Sequence, residues 1–180
     1  MALASQHENL EILLDAETIA TRVRELAARI SVDYRSRPLR LIGILKGAWV
    51  FLADLVRNID LEVTVDFVSI ESYGNNPTTS GAVKITKDLD RSIEGLDVLV
   101  VEDILDTGHT FEYLRGVLEA HKPRSLKVVT LLDKPSRRVR PVQADYVGFT
   151  IPDVFVVGYG LDYAQKFRNL PDVRILRNTS

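Results

Sequence analysis

The sequence predicts an α/β fold with a central, mostly parallel sheet flanked by helices. Apolar runs of strand length, at 39–45, 97–102 and 126–132, alternate along the chain with segments of helical periodicity. Strands that are separated by helices pair in parallel through right-handed crossovers. A length of 180 residues fits one globular domain, and no linker, internal repeat or low-complexity tract divides the sequence.

The first helix is predicted from Asp15 to Tyr34, because Asp15 is a suitable N-cap and an apolar stripe follows it. Further elements follow in order along the chain. They are a strand at 39–45, a helix at 48–59, a strand at 63–67, a polar loop at 72–81, a strand at 82–87, a strand at 97–102, a helix at 110–121, and strands at 126–132, 146–149 and 155–159.

Composition excludes several classes of function. A formal net charge of -2 argues against a broad cationic face for nucleic acid. The absence of cysteine excludes disulfides and cysteine-ligated zinc. No apolar run approaches the roughly 20 residues of a membrane span, and the first ten residues do not resemble a secretory signal. We therefore expect a cytoplasmic protein that binds neither membranes nor nucleic acid.

The most informative motif joins a strand end to a helix start. Glu102 and Asp103 end an apolar strand, and their carboxylates suit the hydroxyl donors of a sugar. The turn that follows leads into a helix, whose free backbone N–H groups suit a phosphate. Gly108 allows close approach of the anion, and Thr107 and Thr110 add hydroxyl donors. The structural alternative is a strand that ends in solvated acids, with a simple cap on the next helix.

This segment, with ILDTGHT at 104–110, resembles the motif of type I phosphoribosyltransferases that binds 5-phosphoribosyl-1-pyrophosphate (PRPP), and most of all their hypoxanthine-guanine branch. The resemblance implies that Asp106 accepts or holds the proton at purine N7, and that His109 contributes only its backbone. It also implies the family's fold, with a core at about 35–150. A small hood subdomain is expected from the N-terminal residues and about 151–180.

Two other strand ends match the family. The LKG tripeptide, with Lys46 and Gly47, is similar to its pyrophosphate loop, where an unusual cis peptide turns backbone N–H groups toward pyrophosphate. In LLDKPSRR, Lys134 matches the lysine that donates to the purine 6-oxo group. An ammonium can only donate and a carbonyl oxygen accepts, so the chemistry agrees. Arg137 and Arg138 are expected to face solvent.

The segment PDVFVVGYGLDYAQKFR carries further matches. The resemblance implies that Phe155 lies over the purine ring and that Val156 offers backbone groups to the base edge. Asp162, next to the base, matches a magnesium ligand, and Arg168 matches a residue that meets pyrophosphate. Glu102 and Asp103 are implied to act on the ribose hydroxyls and on metal-bound water.

A Ser-Tyr pair, Ser72 and Tyr73, matches a flexible loop that closes over PRPP in the family. The resemblance as a whole implies a purine salvage transferase. It would form IMP, GMP or both from hypoxanthine or guanine and PRPP, with Mg²⁺, and release pyrophosphate. A homodimer or homotetramer is expected.

Three alternatives stay open at this point. A phosphoribosyltransferase for xanthine, uracil or adenine would share most motifs, although the LLDKP and VFVVGYGLDY segments favour 6-oxopurines. A regulator on the same fold could bind RNA or nucleotides without catalysis, but the intact acids and Lys134 argue against lost chemistry. The third alternative is an unrelated doubly wound phosphate binder such as a receiver domain, against which the lack of an N-terminal acid pocket beside a first strand argues.

Overall fold

A computed structural model describes residues 10–73 and 82–177. The helices are α1 (Ala16–Asp33), α2 (Trp49–Asn58) and α3 (His109–Ala120), with a short 3-10 turn at Pro135–Arg137. The strands are β1 (Leu10–Leu14), β2 (Leu39–Leu45), β3 (Val63–Tyr73), β4 (Ala82–Lys87), β5 (Asp97–Leu105), β6 (Ser125–Asp133), β7 (Tyr146–Thr150), β8 (Val156–Val157) and β9 (Val173–Leu176). Among the described residues, no helix is long and apolar enough to cross a membrane.

Six strands form the central sheet in the order β4-β3-β2-β5-β6-β7. All neighbouring strands are parallel except β4, which pairs antiparallel with β3. The middle strands β2, β5 and β6 are almost continuously apolar, because helices cover both faces of the sheet. The predicted α/β architecture with a mostly parallel sheet is confirmed.

A second, three-stranded sheet joins the two ends of the chain in the order β1-β9-β8. Both pairings are antiparallel, and Leu10 lies opposite Leu176. Neither β1 nor β9 was predicted from the sequence, since short strands whose partners are distant in sequence leave little local signal. This sheet combines N-terminal and C-terminal segments, and its assignment as a hood remains a prediction.

The core consists of two apolar clusters, one on each face of the central sheet. One cluster packs the buried stripe of α1 and the residues Phe51, Leu52 and Leu55 of α2 against the sheet. The other packs Phe111 and Leu114 of α3 against the opposite face. Each fully buried side chain of this kind contributes about 1.5–3 kcal/mol. The two clusters therefore hold the strand ends in fixed relative positions.

Several predicted boundaries differ from the structure. Asp15 caps α1 as expected, and its side chain accepts a hydrogen bond of 2.8 Å from the Thr18 N–H. β5 continues to Leu105 rather than ending at Glu102, because pairing with β6 extends that far. The strand predicted at 155–159 is reduced to β8.

A charge cluster around the buried Asp97 carboxylate lies at the amino end of β5. The Asp97 side chain is 1% exposed and accepts hydrogen bonds from Arg124 and, at 2.5 Å, from Ser125 Oγ. Arg37 lies 3.7 Å away from the same carboxylate. The hydrogen bond from Arg124 is the main reason that the pKa of Asp97 is lowered. This contact fastens β5 to the start of β6.

We predict that Asp97→Asn lowers the free energy of unfolding by about 1.5–3 kcal/mol at pH 7, because a charged hydrogen-bond acceptor is lost. A lowered native pKa means that this stabilisation is present above the usual carboxyl pKa of about 3.9 and is lost as the pH falls through the native value. Urea unfolding at several pH values measures it. The exposed Asp60→Asn is the matched control, and equal effects of the two variants at pH 7 would refute the prediction.

Candidate active site

A cleft of about 380 Å³ opens at the carboxyl edge of the central sheet. It gathers residues from every strand end that the sequence analysis selected. The predicted residues that line it are Lys46, Gly47, Glu102, Asp103, Asp106, Thr110, Lys134, Phe155, Val156, Asp162 and Arg168. An adjoining cavity of about 300 Å³ is lined by Asp106, Thr107, Gly108 and Thr110. His109, the first residue of α3, is exposed.

The acid pair lies where β5 extends beyond its pairing with β2. That pairing ends at Val101, whereas Glu102 is still opposite Thr130 of β6. Loss of one neighbouring strand opens the side of β5 on which Lys46 and Gly47 lie. Thus the fold brings carboxylates and the predicted pyrophosphate loop to one point.

Burial controls the charge of these acids. Removal from water and the nearby Asp103 raise the pKa of Glu102 well above its usual range. Burial also raises the pKa of Asp103, although the N–H of Ile104 and the charge of Arg168 act in the opposite direction. Glu102 Oε2 is buried and has no hydrogen-bond partner among the described residues. Glu102 therefore lacks a donor or positive charge that a ligand can supply.

Two glycines permit close packing at the pyrophosphate loop. A β-carbon at Gly47 would lie 1.6 Å from Asp103 Oδ2, and one at Gly160 would lie 2.3 Å from the Gly47 carbonyl oxygen. Gly160 also has a φ of 100°, which glycine adopts readily. The Leu45–Lys46 peptide is cis, as the family resemblance implies. Only glycine fits at 47 and 160 without displacing the acid or the loop.

The turn between β5 and α3 has the form of an anion site. Gly108 is the N-cap of α3 with a φ of 90°, and no side chain caps the free N–H groups at the start of this helix. Neither Asp106 nor Thr107 caps the helix, so the capping alternative is wrong. The Thr107 carbonyl accepts from the Val139 and Arg140 N–H groups at 3.0 and 3.2 Å. These two hydrogen bonds thus hold the loop in place, while the start of α3 faces the cavity.

The base end of the cleft is built around Lys134. Its side chain is only 6% exposed, and Nζ donates to the Val154 carbonyl at 2.6 Å. Val156 is buried and pairs with Ile175 of β9. Phe155 is half exposed and meets Tyr163 edge-to-face, with ring centroids 5.7 Å apart. An ammonium beside an exposed aromatic ring can bind a flat ligand that has an acceptor on its edge.

Asp162 and Arg168 bind each other in the described structure. Arg168 Nη2 lies 2.7 Å from Asp162 Oδ1, and Nη1 donates to the Gly160 carbonyl at 2.7 Å. The Gln165 N–H donates to the other carboxylate oxygen at 2.8 Å. The predicted magnesium ligand and the predicted pyrophosphate ligand are therefore neighbours with opposite charge.

A resident metal cage is absent from the described residues, which contain no group of three or more acids or histidines placed to hold an ion. Mg²⁺ commonly uses only one or two carboxylates and takes its other ligands from water and substrate phosphates. Glu102, Asp103 and Asp162 line one cleft and offer such hard oxygen ligands. The donor set fits a metal that arrives with a phosphorylated substrate.

The predicted flexible loop is only partly described. The backbones of Ser72 and Tyr73 belong to β3, opposite Val83 and Ala82 of β4, so the loop does not begin at residue 72. Residues 74–81 lie outside the described part of the chain. The role of Ser72 and Tyr73 in closing the site remains a prediction.

The expectation that Arg137 and Arg138 face solvent is wrong for Arg138 and incomplete for Arg137. The Arg138 side chain is 15% exposed and donates to Asp133 and to the Leu105 carbonyl. Arg137 is half exposed but contacts Asp106. The sequence carried one usable signal, because Pro135, two residues after the end of β6, favours a tight turn there.

Comparison with known proteins identifies the family of this chain. A sequence profile described as the phosphoribosyl transferase domain matches residues 9–164. The chain is 48% identical over 172 residues to the hypoxanthine-guanine phosphoribosyltransferase of Bacillus subtilis strain 168, with 96% of each protein covered. The chain belongs to the phosphoribosyltransferase family. The predicted family is therefore confirmed.

Solved phosphoribosyltransferase structures agree with the fold. A hypoxanthine phosphoribosyltransferase from Staphylococcus aureus has a TM-score of 0.93 at 46% identity, covering 98% of this chain and 97% of that one. A hypoxanthine-guanine phosphoribosyltransferase from Bacillus anthracis has a TM-score of 0.89 at 48% identity, covering 93% and 98%. The predicted type I phosphoribosyltransferase fold is confirmed.

We predict that Glu102→Gln stabilises the protein at pH 7 by about 1 kcal/mol, or about 2–4 °C in melting temperature, because it removes a buried carboxylate. A raised native pKa means that wild type loses stability relative to this variant as the pH rises from about 4.3 through the native pKa. Thermal unfolding between pH 4.5 and 8 measures the difference.

The exposed Glu94→Gln provides the matched control, for which we expect no pH-dependent difference from wild type. A Glu102→Gln variant that is less stable than wild type throughout this pH range would contradict the prediction.

Proposed function

We propose that this chain transfers the phosphoribosyl group of PRPP to hypoxanthine, guanine or both, forming IMP or GMP and releasing pyrophosphate. The names of the similar proteins support this activity. The observation that carries it is the order of three neighbouring strand ends, β2, β5 and β6. At these ends lie, in this order, the predicted pyrophosphate loop, the acids predicted to contact the ribose and the lysine predicted to contact the base. Pyrophosphate, ribose and base are the reacting groups in the same order.

The PRPP end of the proposed site uses the first two strand ends. Glu102 and Asp103 accept hydrogen bonds from the ribose hydroxyls, which supplies the donors that the buried Glu102 oxygen lacks. The turn that begins at Asp106, together with the start of α3 up to Thr110, binds the 5-phosphate in the adjoining cavity. Backbone groups of Lys46 and Gly47, together with Arg168, bind pyrophosphate.

At the base end, Lys134 donates to the 6-oxo group and the exposed face of Phe155 supports the ring. Val156 offers backbone groups to the base edge. The bond from ribose C1 to pyrophosphate breaks and a bond from C1 to purine N9 forms. Asp106 accepts or holds the proton at N7 during this exchange. Closure by the segment that includes Ser72 and Tyr73 keeps water away from C1.

Magnesium is part of the proposal. Asp162 would hold it directly, and Glu102 and Asp103 would act on water in its coordination shell. When bound, the metal neutralises charge on the departing pyrophosphate. We further propose a cytoplasmic homodimer or homotetramer that does not act on nucleic acid or membranes.

A spectrophotometric assay with PRPP, Mg²⁺ and each base in turn tests the proposal. Turnover of hypoxanthine or guanine is expected, and turnover of uracil or adenine alone would identify another phosphoribosyltransferase. The outcome that favours a regulator is an RNA mobility shift that weakens with salt while no base is turned over.

We predict that Lys134→Met lowers kcat/KM for hypoxanthine by roughly 10- to 150-fold, since a charged hydrogen bond is worth about 1.5–3 kcal/mol. Adenine has an amino donor where hypoxanthine has an acceptor, so wild type should not measurably turn over adenine. In Lys134→Met, the ratio of kcat/KM for hypoxanthine to kcat/KM for adenine should be smaller than in wild type. The KM for PRPP is the internal control and should stay near the wild-type value. An unchanged preference between the two bases would refute the role of Lys134.

A further inference from the structure

Arg137 lies between the carboxylates of Asp106 and Asp153, of which Asp106 lines the cleft. Its Nε is 3.3 Å from Asp106 Oδ1, and its Nη1 is 3.7 Å from Asp153 Oδ2. Asp106 follows β5, Arg137 ends the 3-10 turn after β6, and Asp153 lies between β7 and β8. One guanidinium thus connects three segments that are adjacent only in the folded chain.

We propose that Arg137 is a positioning residue for Asp106, an inference that rests on the proposed function. A proton acceptor works best when a third group fixes its orientation. Contact with Oδ1 leaves Oδ2 of Asp106 available to face purine N7. The contact with Asp153 anchors the guanidinium from its other side, so Arg137 is itself held.

The backbone of the turn supports this role. The Arg137 N–H donates to the Lys134 carbonyl at 3.1 Å, and the Lys134 N–H donates to the Leu105 carbonyl at 3.0 Å. The position of Arg137 is therefore fixed relative to both Lys134 and the end of β5. Purine N7 and the 6-oxo group are neighbours on one edge of the base, so a single short turn would control both contacts.

The neighbouring arginines have other partners. Arg138 donates to Asp133 and to the Leu105 carbonyl, and Arg140 contacts His109 and Glu112. Arg137 is also 48% exposed, and an ion pair with that exposure adds little to stability. Its contact with Asp106 thus acts on orientation rather than on the fold.

A double-mutant cycle on kcat for hypoxanthine tests the inference. Arg137→Ala is expected to lower kcat by about 10- to 100-fold, as loss of an orienting partner commonly does, with an unchanged KM for PRPP. Asp106→Asn is expected to lower kcat by about 10²- to 10⁴-fold. In that background, adding Arg137→Ala should change kcat by no more than about twofold, because the residue that it positions is already lost.

Two further variants complete the design. Arg137→Lys restores a charge beside Asp106, so its kcat should lie between those of Arg137→Ala and wild type. Arg115→Ala removes an equally exposed arginine from a surface pair with Glu119, and its kcat should equal that of wild type. Melting temperatures of the Arg137 and Arg115 variants should agree within about 2 °C.

The inference is overturned if Arg137→Ala keeps wild-type kcat, or if it causes the same fold loss with and without Asp106. A lysine variant as slow as the alanine variant would also overturn it. Failure of the proposed function is distinguishable, since then wild type itself turns over neither hypoxanthine nor guanine.

Discussion

The parallel pairing of β5 with β2 on one side and β6 on the other is the constraint on which the site depends. Parallel strands bring their carboxyl ends to one edge, where ligands of such sheets bind. The acid pair, the pyrophosphate loop and the lysine turn therefore meet without any long connection. Apolar clusters on both faces of the sheet hold this edge, and a few of their residues, such as Ile44, Val156 and Leu161, also line the cleft.

The two adjacent acids at this edge of the sheet lower the stability of the fold. Glu102 keeps a buried oxygen without a partner among the described residues, and burial raises the pKa values of both acids. Gly47 approaches Asp103 so closely that no side chain fits between them. A fold selected for stability alone would not remove two adjacent carboxyl groups from most of their water, so the surrounding apolar core must offset their partial desolvation.

Local signals explain how much of this could be predicted. Continuous apolar runs identified β2, β5 and β6, and the stripe after Asp15 identified α1. Glu102, Asp103, Lys46 and Lys134 could be selected because they lie at the ends of predicted strands, whereas the choice of Asp162 and the roles of all these residues came from the family resemblance. The strands β1 and β9 could not, since each depends on a partner at the other end of the chain. Likewise, the contact of Arg137 with Asp106 depends on how a turn after β6 folds back towards β5.

The charged side chains around the cleft differ in whether they have partners within the protein, and this difference indicates which ligand groups the site can accept. Arg168 is held by Asp162 and the Gly160 carbonyl, and Lys134 by the Val154 carbonyl. These cations are fixed in place, so little reorganisation is needed when a ligand arrives. The Glu102–Asp103 pair is different, because Glu102 Oε2 is buried without a hydrogen-bond partner among the described residues and the nearby Asp103 helps to raise the pKa of Glu102. Hydroxyl donors of a ribose, or a cation that travels with a phosphorylated sugar, would meet that need, whereas a simple anion would only add repulsion there.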